Sequence, residues 1–343
     1  MNANPPKRRA GRSPGRRPGA PAAGVLLVVV AMLVSAACST APSPPPTTTA
    51  VASQPASAPP SASASASASA DPTGSSSAVG LVVVVDDGSQ SLGLAGADGA
   101  LGSLSAPRHP IRQIRAATAG LVAALDDGTL AFGRLRAGSI AWMDGPPTAN
   151  LAALAADPGG RFLALLDTDR LGQGLPLALE IVPVAGGDGR TITAKELEAN
   201  GAPAWLADGR IALRAIGRGG RDVLAIVDSA TDRTTSVPFD AIDLFASADG
   251  RTVALAYERA IRIVPAADLS GDGVAVAVPT DPGAGRVAEV ALDPTGGRIA
   301  FVLEDDDQTP ISIRIATAAA GWRETAHIDV PVGTTRIRIA WAG

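Results

Sequence analysis

Few side chains in this 343-residue chain are of the kinds that carry out covalent chemistry. There are two histidines, His109 in Pro107-Arg108-His109-Pro110 and His327 in the alternating run Thr325–Val330, and a single cysteine, Cys38. A serine-histidine-acid triad needs a histidine oriented between nucleophile and acid. No Gly-x-Ser-x-Gly elbow is present to supply the nucleophile. His109 reads as a surface-loop residue and His327 as a solvent-facing strand residue. Carboxylates for glycoside hydrolysis are plentiful: Asp86, Asp87, Asp126, Asp127, Asp167, Asp169, Glu304, Asp305, Asp306 and Asp307. Most stand in Asp-Gly or Asp-rich turns, where an aspartate bonds the backbone of its own loop. They are expected to form turns, so no catalytic residue is assigned.

One segment has the spacing of a cation loop. In Asp268-Leu269-Ser270-Gly271-Asp272-Gly273, oxygens at the first, third and fifth positions could converge on calcium, with the glycine allowing the sharp turn. The bidentate carboxylate expected at the twelfth position is replaced by Pro279. Asp268, Ser270 and Asp272 therefore read mainly as a polar hairpin between strands near 261–264 and 274–278, with calcium as the lesser alternative. The glycine-rich pieces at 186–189 and 217–220 lack the strand-to-helix setting of a phosphate cradle. No cofactor is expected.

The only cysteine has a different use. Lys7, Arg8, Arg9, Arg12, Arg16 and Arg17 form a basic lead into a 14-residue apolar run, Gly24–Ala37. A bilayer core takes roughly 20 residues to cross, so this run has the length of a signal peptide. It closes on Leu33-Val34-Ser35-Ala36-Ala37-Cys38, which resembles a bacterial lipobox, with Ser35 where leucine is commonest. Residues 1–37 are expected to be removed and Cys38 lipidated. Neither Arg8-Arg9 nor Arg16-Arg17 is followed by the apolar pair of a twin-arginine signal, so general secretion is favoured.

Residues 38–78 comprise Cys38 and a stretch of Ser, Ala, Pro and Thr with little apolar area to offset its ordering entropy. A disordered tether is expected there, its ends roughly 35 Å apart as a random coil. The whole chain carries −4, the six leading cations have no acid beside them, and residues 38–343 therefore carry −10. That charge argues against nucleic acid as a partner. One cysteine excludes an intrachain disulfide, and two histidines exclude a histidine-rich metal cage.

From residue 79 onward one grammar repeats: strand, Asp-Gly turn, strand. It occurs at 151–167, 202–216, 242–257 and 288–303, and the arginine after the turn falls at Arg161, Arg210, Arg251 and Arg298, in steps of 49, 41 and 47 residues. Propeller blades of four strands recur at about 40–50 residues. Two weaker units, Leu81–Gly88 and Leu121–Gly128, stand 40 residues apart. No strand precedes Leu81, whereas the chain ends in Arg336-Ile337-Arg338-Ile339-Ala340-Trp341, aligned with Ala202–Gly209 through Trp341 and Trp205. The fold predicted for 79–343 is an all-β, six-bladed propeller closed by pairing of this last strand with residues 80–86. Trp205 and Trp341 are expected in the core, and Trp142 and Trp322 on outer strands or their loops. Only Ala194–Ala199, AKELEA, reads as helix.

The Trp-x-x-Asp-Gly-Arg-Ile-Ala pattern at 205–212 and Asp-Pro-Thr-Gly-Gly-Arg-Ile-Ala-Phe at 293–301 resemble the repeats of TolB-like and related WD-repeat-like bacterial propellers. Several turns here are Ala-Asp-Gly where those families usually carry Ser-Pro-Asp-Gly. The resemblance implies a fold shared by periplasmic scaffolds, sensor domains and lipoproteins rather than an activity. The expectation is a monomeric, lipid-anchored extracytoplasmic module that binds an envelope protein or glycan and is not an enzyme. The alternative is a six-bladed enzyme, lactonase-like or sugar dehydrogenase-like, with carboxylates in its central channel.

Overall fold

The repeated Asp-Gly turns are hairpins whose aspartates hold the backbone beside them. In the computed structural model, which describes residues 80–343 apart from 97, 149–150 and 281–284, Asp293 Oδ1 accepts from Gly297 N at 2.8 Å and Asp249 Oδ1 from Arg251 N at 3.0 Å. The arginine after the turn reaches back to the same aspartate in Arg298–Asp293 (3.0 Å), Arg210–Asp208 (2.7 Å) and Arg161–Asp157 (3.4 Å). Neighbouring turns also bond one another: Ala207 N donates to Gly250 O at 2.8 Å, and Asp249 N to Pro294 O at 3.2 Å. Gly250 has a φ of 67° and a Cβ there would stand 2.5 Å from Ala207 N, so glycine is required.

Among the described residues the turns join 24 strands into five antiparallel sheets. The first sheet holds β1 (Gly80–Asp86), β2 (Gln90–Ala95) and β3 (Leu101–Ser103). The second holds β4 (Ile111–Ala117), β5 (Gly120–Leu125), β6 (Thr129–Arg136) and β7 (Ser139–Pro147). An eight-stranded sheet follows, of β8 (Leu151–Ala156), β9 (Phe162–Asp167), β10 (Pro176–Pro183), β11 (Arg190–Ala199), β12 (Ala204–Trp205), β13 (Arg210–Ile216), β14 (Asp222–Asp228) and β15 (Thr234–Pro238). Then come β16 (Asp243–Ala246), β17 (Thr252–Tyr257), β18 (Ala260–Pro265) and β19 (Val274–Val276), and β20 (Arg286–Leu292), β21 (Arg298–Glu304), β22 (Pro310–Thr317) and β23 (Arg323–Asp329). The last strand, β24 (Arg336–Ala342), pairs with β1 from Gly80↔Ala342 to Asp86↔Arg336, which makes the first sheet four-stranded. The architecture is all-β and propeller-like, with one 3-10 turn at Ala318–Ala320 among the described residues.

Both faces of each sheet are packed, which is why the inner strands read as nearly continuous apolar runs. In β1, Val82 and Val84 face β4 and β5, whereas Leu81, Val83 and Val85 face β20 and β21. Six apolar clusters form in this way. Four lie between successive sheets, one lies between the two halves of the eight-stranded sheet, and one joins β20–β23 to β1 and β24. Trp205 and Trp341 are buried as expected, and Trp341 Nε1 donates to Ala291 O at 3.1 Å. Trp322, just before the outer strand β23, is buried too, while Trp142 on β7 donates to Ser105 O at 2.8 Å.

Residues 194–199 correct the helix reading, for they form the end of β11. The helical preference of Ala, Lys and Glu is worth a few tenths of a kcal/mol per residue. Pairing of Ala194 with Leu177, of Glu198 with Ile216 and of Ala199 with Ala215, together with burial of Leu197 and Ala199, outweighs it. The register shift between Pro176 and Leu177 lets the strand bulge on its way to β13.

Candidate functional site

Six strands converge on one cavity. Its wall takes Ala116 from β4, Ala155 from β8, Ala204 and Trp205 from β12, Phe245 from β16, Ala291 from β20 and Ala340 from β24. Alanine recurs because strands approaching a common axis leave no room for larger side chains. The free space is about 50 Å³. That suffices for a few waters at roughly 10–15 Å³ each, but not for a ligand needing roughly 300 Å³ or more. Trp205 Nε1 is buried at this cavity without a protein partner.

Toward the beginnings of the same strands the wall becomes charged. Arg112, Gln113 and Arg115 come from β4, Asp243 from β16, Glu289 from β20, and Arg336 and Arg338 from β24. Three of the inner strands break register here, at Ile111/Gln113, Leu151/Ala153 and Val287/Glu289. Each break inserts one residue and re-aims the side chains beside it. Arg115 Nη1 meets Glu289 Oε1 at 2.6 Å, and its guanidinium lies 5.7 Å from the Phe245 ring centre. Gln113 Oε1 accepts from Leu154 N at 2.9 Å.

Asp243 Oδ1 accepts from Leu244 N at 2.9 Å. Burial pushes its carboxyl up from 3.8 to about 6, Glu289 adds to the rise, and the Leu244 amide, Arg115 and Arg214 oppose it. Arg338 is buried, and its Nε and Nη1 have no hydrogen-bond partner. Burial first, then Arg336, lowers its pKa from the ordinary arginine value, while Asp86, Glu289 and Asp126 act in the other direction. Arg338 lines an open recess of about 220 Å³ with Arg112, Gln113, Thr168, Glu289 and Arg336.

Among solved structures, TolB from Acinetobacter baumannii superposes with a TM-score of 0.54 at 14% identity, over 78% of this chain and 67% of that one. A chain of a nidogen/laminin complex superposes with a TM-score of 0.56 at 12% identity, over 77% of this chain and 98% of that one. The chain has a TolB-like β-propeller fold. No family model matches the sequence, and no curated protein matches it.

The residues singled out by sequence lie in turns, loops and strand ends of several sheets. His109 is exposed in a loop, with Nε2 at 3.3 Å from Asp127. His327 is exposed on β23, between Glu324 (3.6 Å) and Asp329 (3.9 Å). The turn aspartates hold turns: Asp87 Oδ1 accepts from Ser89 N, Asp127 Oδ1 from Thr129 N, Asp167 Oδ1 from Asp169 N, and Asp305 Oδ1 from Asp307 N and Thr309 N. The Thr129 hydroxyl is the main cause that lowers the Asp127 pKa. Glu304 pairs with Arg286 at 3.0 Å and Asp306 lies 3.9 Å from Arg259. Asp86 and Asp126 act through their field on Arg338. In the 268–273 hairpin, Asp268 Oδ1 accepts from Ser270 Oγ at 3.1 Å. Among the described residues no three His, Cys, Asp or Glu side chains assemble as a metal site. Cys38 lies outside the described residues.

Arg115, Asp243, Glu289 and Arg338 were not singled out from the sequence. Each is a charged residue within an inner strand, and only the arrangement of the strands brings the four to one end of the fold.

The raised Asp243 pKa has a measurable consequence. Between about pH 4 and 6 the folded propeller keeps a proton that the unfolded chain releases. The stabilising contribution of this group is therefore fully present below 3.8 and lost as pH rises to about 6. In Asp243→Asn the side chain stays neutral at every pH. The melting temperature of the variant minus that of the wild type is expected to rise between pH 4 and 6 and level off above; a constant difference would show that Asp243 titrates normally.

Proposed function

We propose that the chain is a lipid-anchored extracytoplasmic propeller that binds a protein or glycan partner at the charged mouth of its central channel. The eight-stranded sheet is read as two blades joined where Glu198 and Ala199 of β11 pair with β13. That makes six blades, and β24 closes the ring. Six inner strands around one cavity and six apolar clusters support this count. Membrane attachment through Cys38, passage by general secretion and a monomeric state complete the reading.

The observation that carries it is the contrast along the channel. Below the mouth the axis narrows to about 50 Å³ of free space, so a large ligand is met at the mouth and its surrounding loops. Loops 168–175, 216–222 and 304–310 can vary there without disturbing the blades. One of the two similar folds comes from a complex between proteins, nidogen and laminin.

A second reading, the channel enzyme, has one observation in its favour: Asp243, pushed up to about 6, lies in the field of the Glu289 carboxylate. Glu289 is tied to Arg115, which supports a binding role.

Affinity capture of the anchored protein from its own envelope is expected to recover a protein or glycan, and joint replacement of His109 and His327 is expected to leave that capture unchanged. Turnover of a lactone, sugar or peptide by the purified propeller, abolished in Asp243→Asn, would favour the enzyme.

A further inference from the structure

Arg338 is an anomaly in a well-satisfied fold. It is 94% buried, since its relative exposure is 6%, and two of its donors, Nε and Nη1, meet no acceptor in the protein. A desolvated guanidinium left without partners is costly, and buried arginines are normally retained where something pairs with them. Glu289, in the same recess, meets Arg115 through Oε1 at 2.6 Å and gives no acceptor to Arg338 Nε or Nη1. Asp86 and Asp126 influence Arg338 through space without hydrogen-bonding to it. The side chain forms part of the wall of the 220 Å³ recess, whose rim carries the exposed Arg112 and Arg336.

We propose that this recess binds the carboxylate of a ligand, with Arg338 as its direct partner and Arg112 and Arg336 as flanking cations. This deepens the binding reading above and rests on the mouth being the binding face. Nε–H with Nη2–H on one edge of the guanidinium, or Nη1–H with Nη2–H on the other, forms a fork that matches the two oxygens of a carboxylate, and each edge contains one of the unpartnered donors. Both unpartnered atoms are sealed inside the wall, so Arg338 must turn one of these edges toward the recess when the carboxylate enters. Glu289 lines the recess and Asp86 and Asp126 act on Arg338 through space, so the site accommodates one negative charge better than two. That favours a carboxylate over a phosphate dianion. The recess is smaller than a pocket for a drug-sized ligand, which suits a terminal group inserted from a larger molecule.

The test titrates the full chain with acetate, tri-alanine, tri-alanine amide, inorganic phosphate and chloride at matched ionic strength. The readout is the Arg338 Nε–H resonance, identified by its loss in Arg338→Met. Acetate and tri-alanine are expected to shift this resonance saturably, and the amide and chloride to leave it in place. A tenfold tighter response to tri-alanine assigns the group to a chain terminus, and equal responses assign it to a free acid. Arg338→Met is expected to melt at or above the wild-type temperature, since an apolar side chain of similar size replaces an unpartnered charge, and to bind acetate at least tenfold more weakly. Should that variant fail to fold, Arg112→Gln, altered only on the exposed rim, is expected to weaken acetate about threefold.

A carboxylate response no larger than that of chloride, tighter binding of phosphate, or undiminished acetate binding in the folded Arg338→Met protein overturns the site. These outcomes are separate from loss of the envelope partner. Acetate binding without any partner at the mouth would leave the carboxylate site standing and remove the scaffold reading.

Discussion

Deleting residues 335–343 is expected to abolish cooperative folding. Those residues supply β24, whose seven rungs on β1 are its ladder into the first sheet. The deletion removes the buried side chains of Ile337, Ile339 and Trp341, along with the Trp341 bond to Ala291 O and its ring contact with Arg298 at 4.4 Å. Losing a buried aliphatic or aromatic side chain costs about 2–5 kcal/mol. Three together rival the entire stability of a typical domain, about 5–15 kcal/mol. The strand Gly80–Asp86 would also be left with open backbone groups on one edge, which invites pairing between molecules. Circular dichroism melting and size-exclusion chromatography check this: the truncated protein should aggregate or lose its sharp transition. A melting temperature unchanged by the deletion would mean that the terminal pairing contributes nothing to stability.

The second large effect is one of location. Cys38→Ser is expected to move the protein almost completely from the membrane fraction to the soluble fraction, because acyl chains contribute about 0.8 kcal/mol per buried methylene and nothing else in the lipobox reading holds the chain to lipid. Mass spectrometry of the wild-type mature protein should show an N-terminal Cys38 with added lipid mass. A mature protein beginning elsewhere without lipid would contradict the anchor.

The hairpin grammar was legible because a turn is local chemistry: aspartate bonds the next amides, glycine takes the left-handed backbone, and arginine returns to the aspartate, as at Asp293, Gly296 and Arg298. The pairing of the ends was legible because β1 lacked a neighbour on one side and Trp341 repeated Trp205. The strand at 194–199 was hidden because its pairing partners, in β10 and β13, outweigh a composition that favours helix. The charged mouth was hidden for two reasons. Arg115 and Glu289 are 174 residues apart, so only the arrangement of sheets about the axis brings them together. Arg338, in alternating Arg-Ile-Arg-Ile, looks like a solvent-facing residue, whereas in the fold it is buried against the recess. The register breaks in β4, β8 and β20 further shift which side chains reach the mouth, and nothing local marks them.

The most direct test of the binding role is site-resolved crosslinking in the native envelope. A photoreactive residue placed at Leu171, on the recess, should yield a discrete adduct with one partner, while the same residue at Arg251, in a hairpin turn at the far ends of the inner strands, should yield none. An adduct from Arg251 alone, or none from either position, would contradict a propeller that binds its partner at the channel mouth.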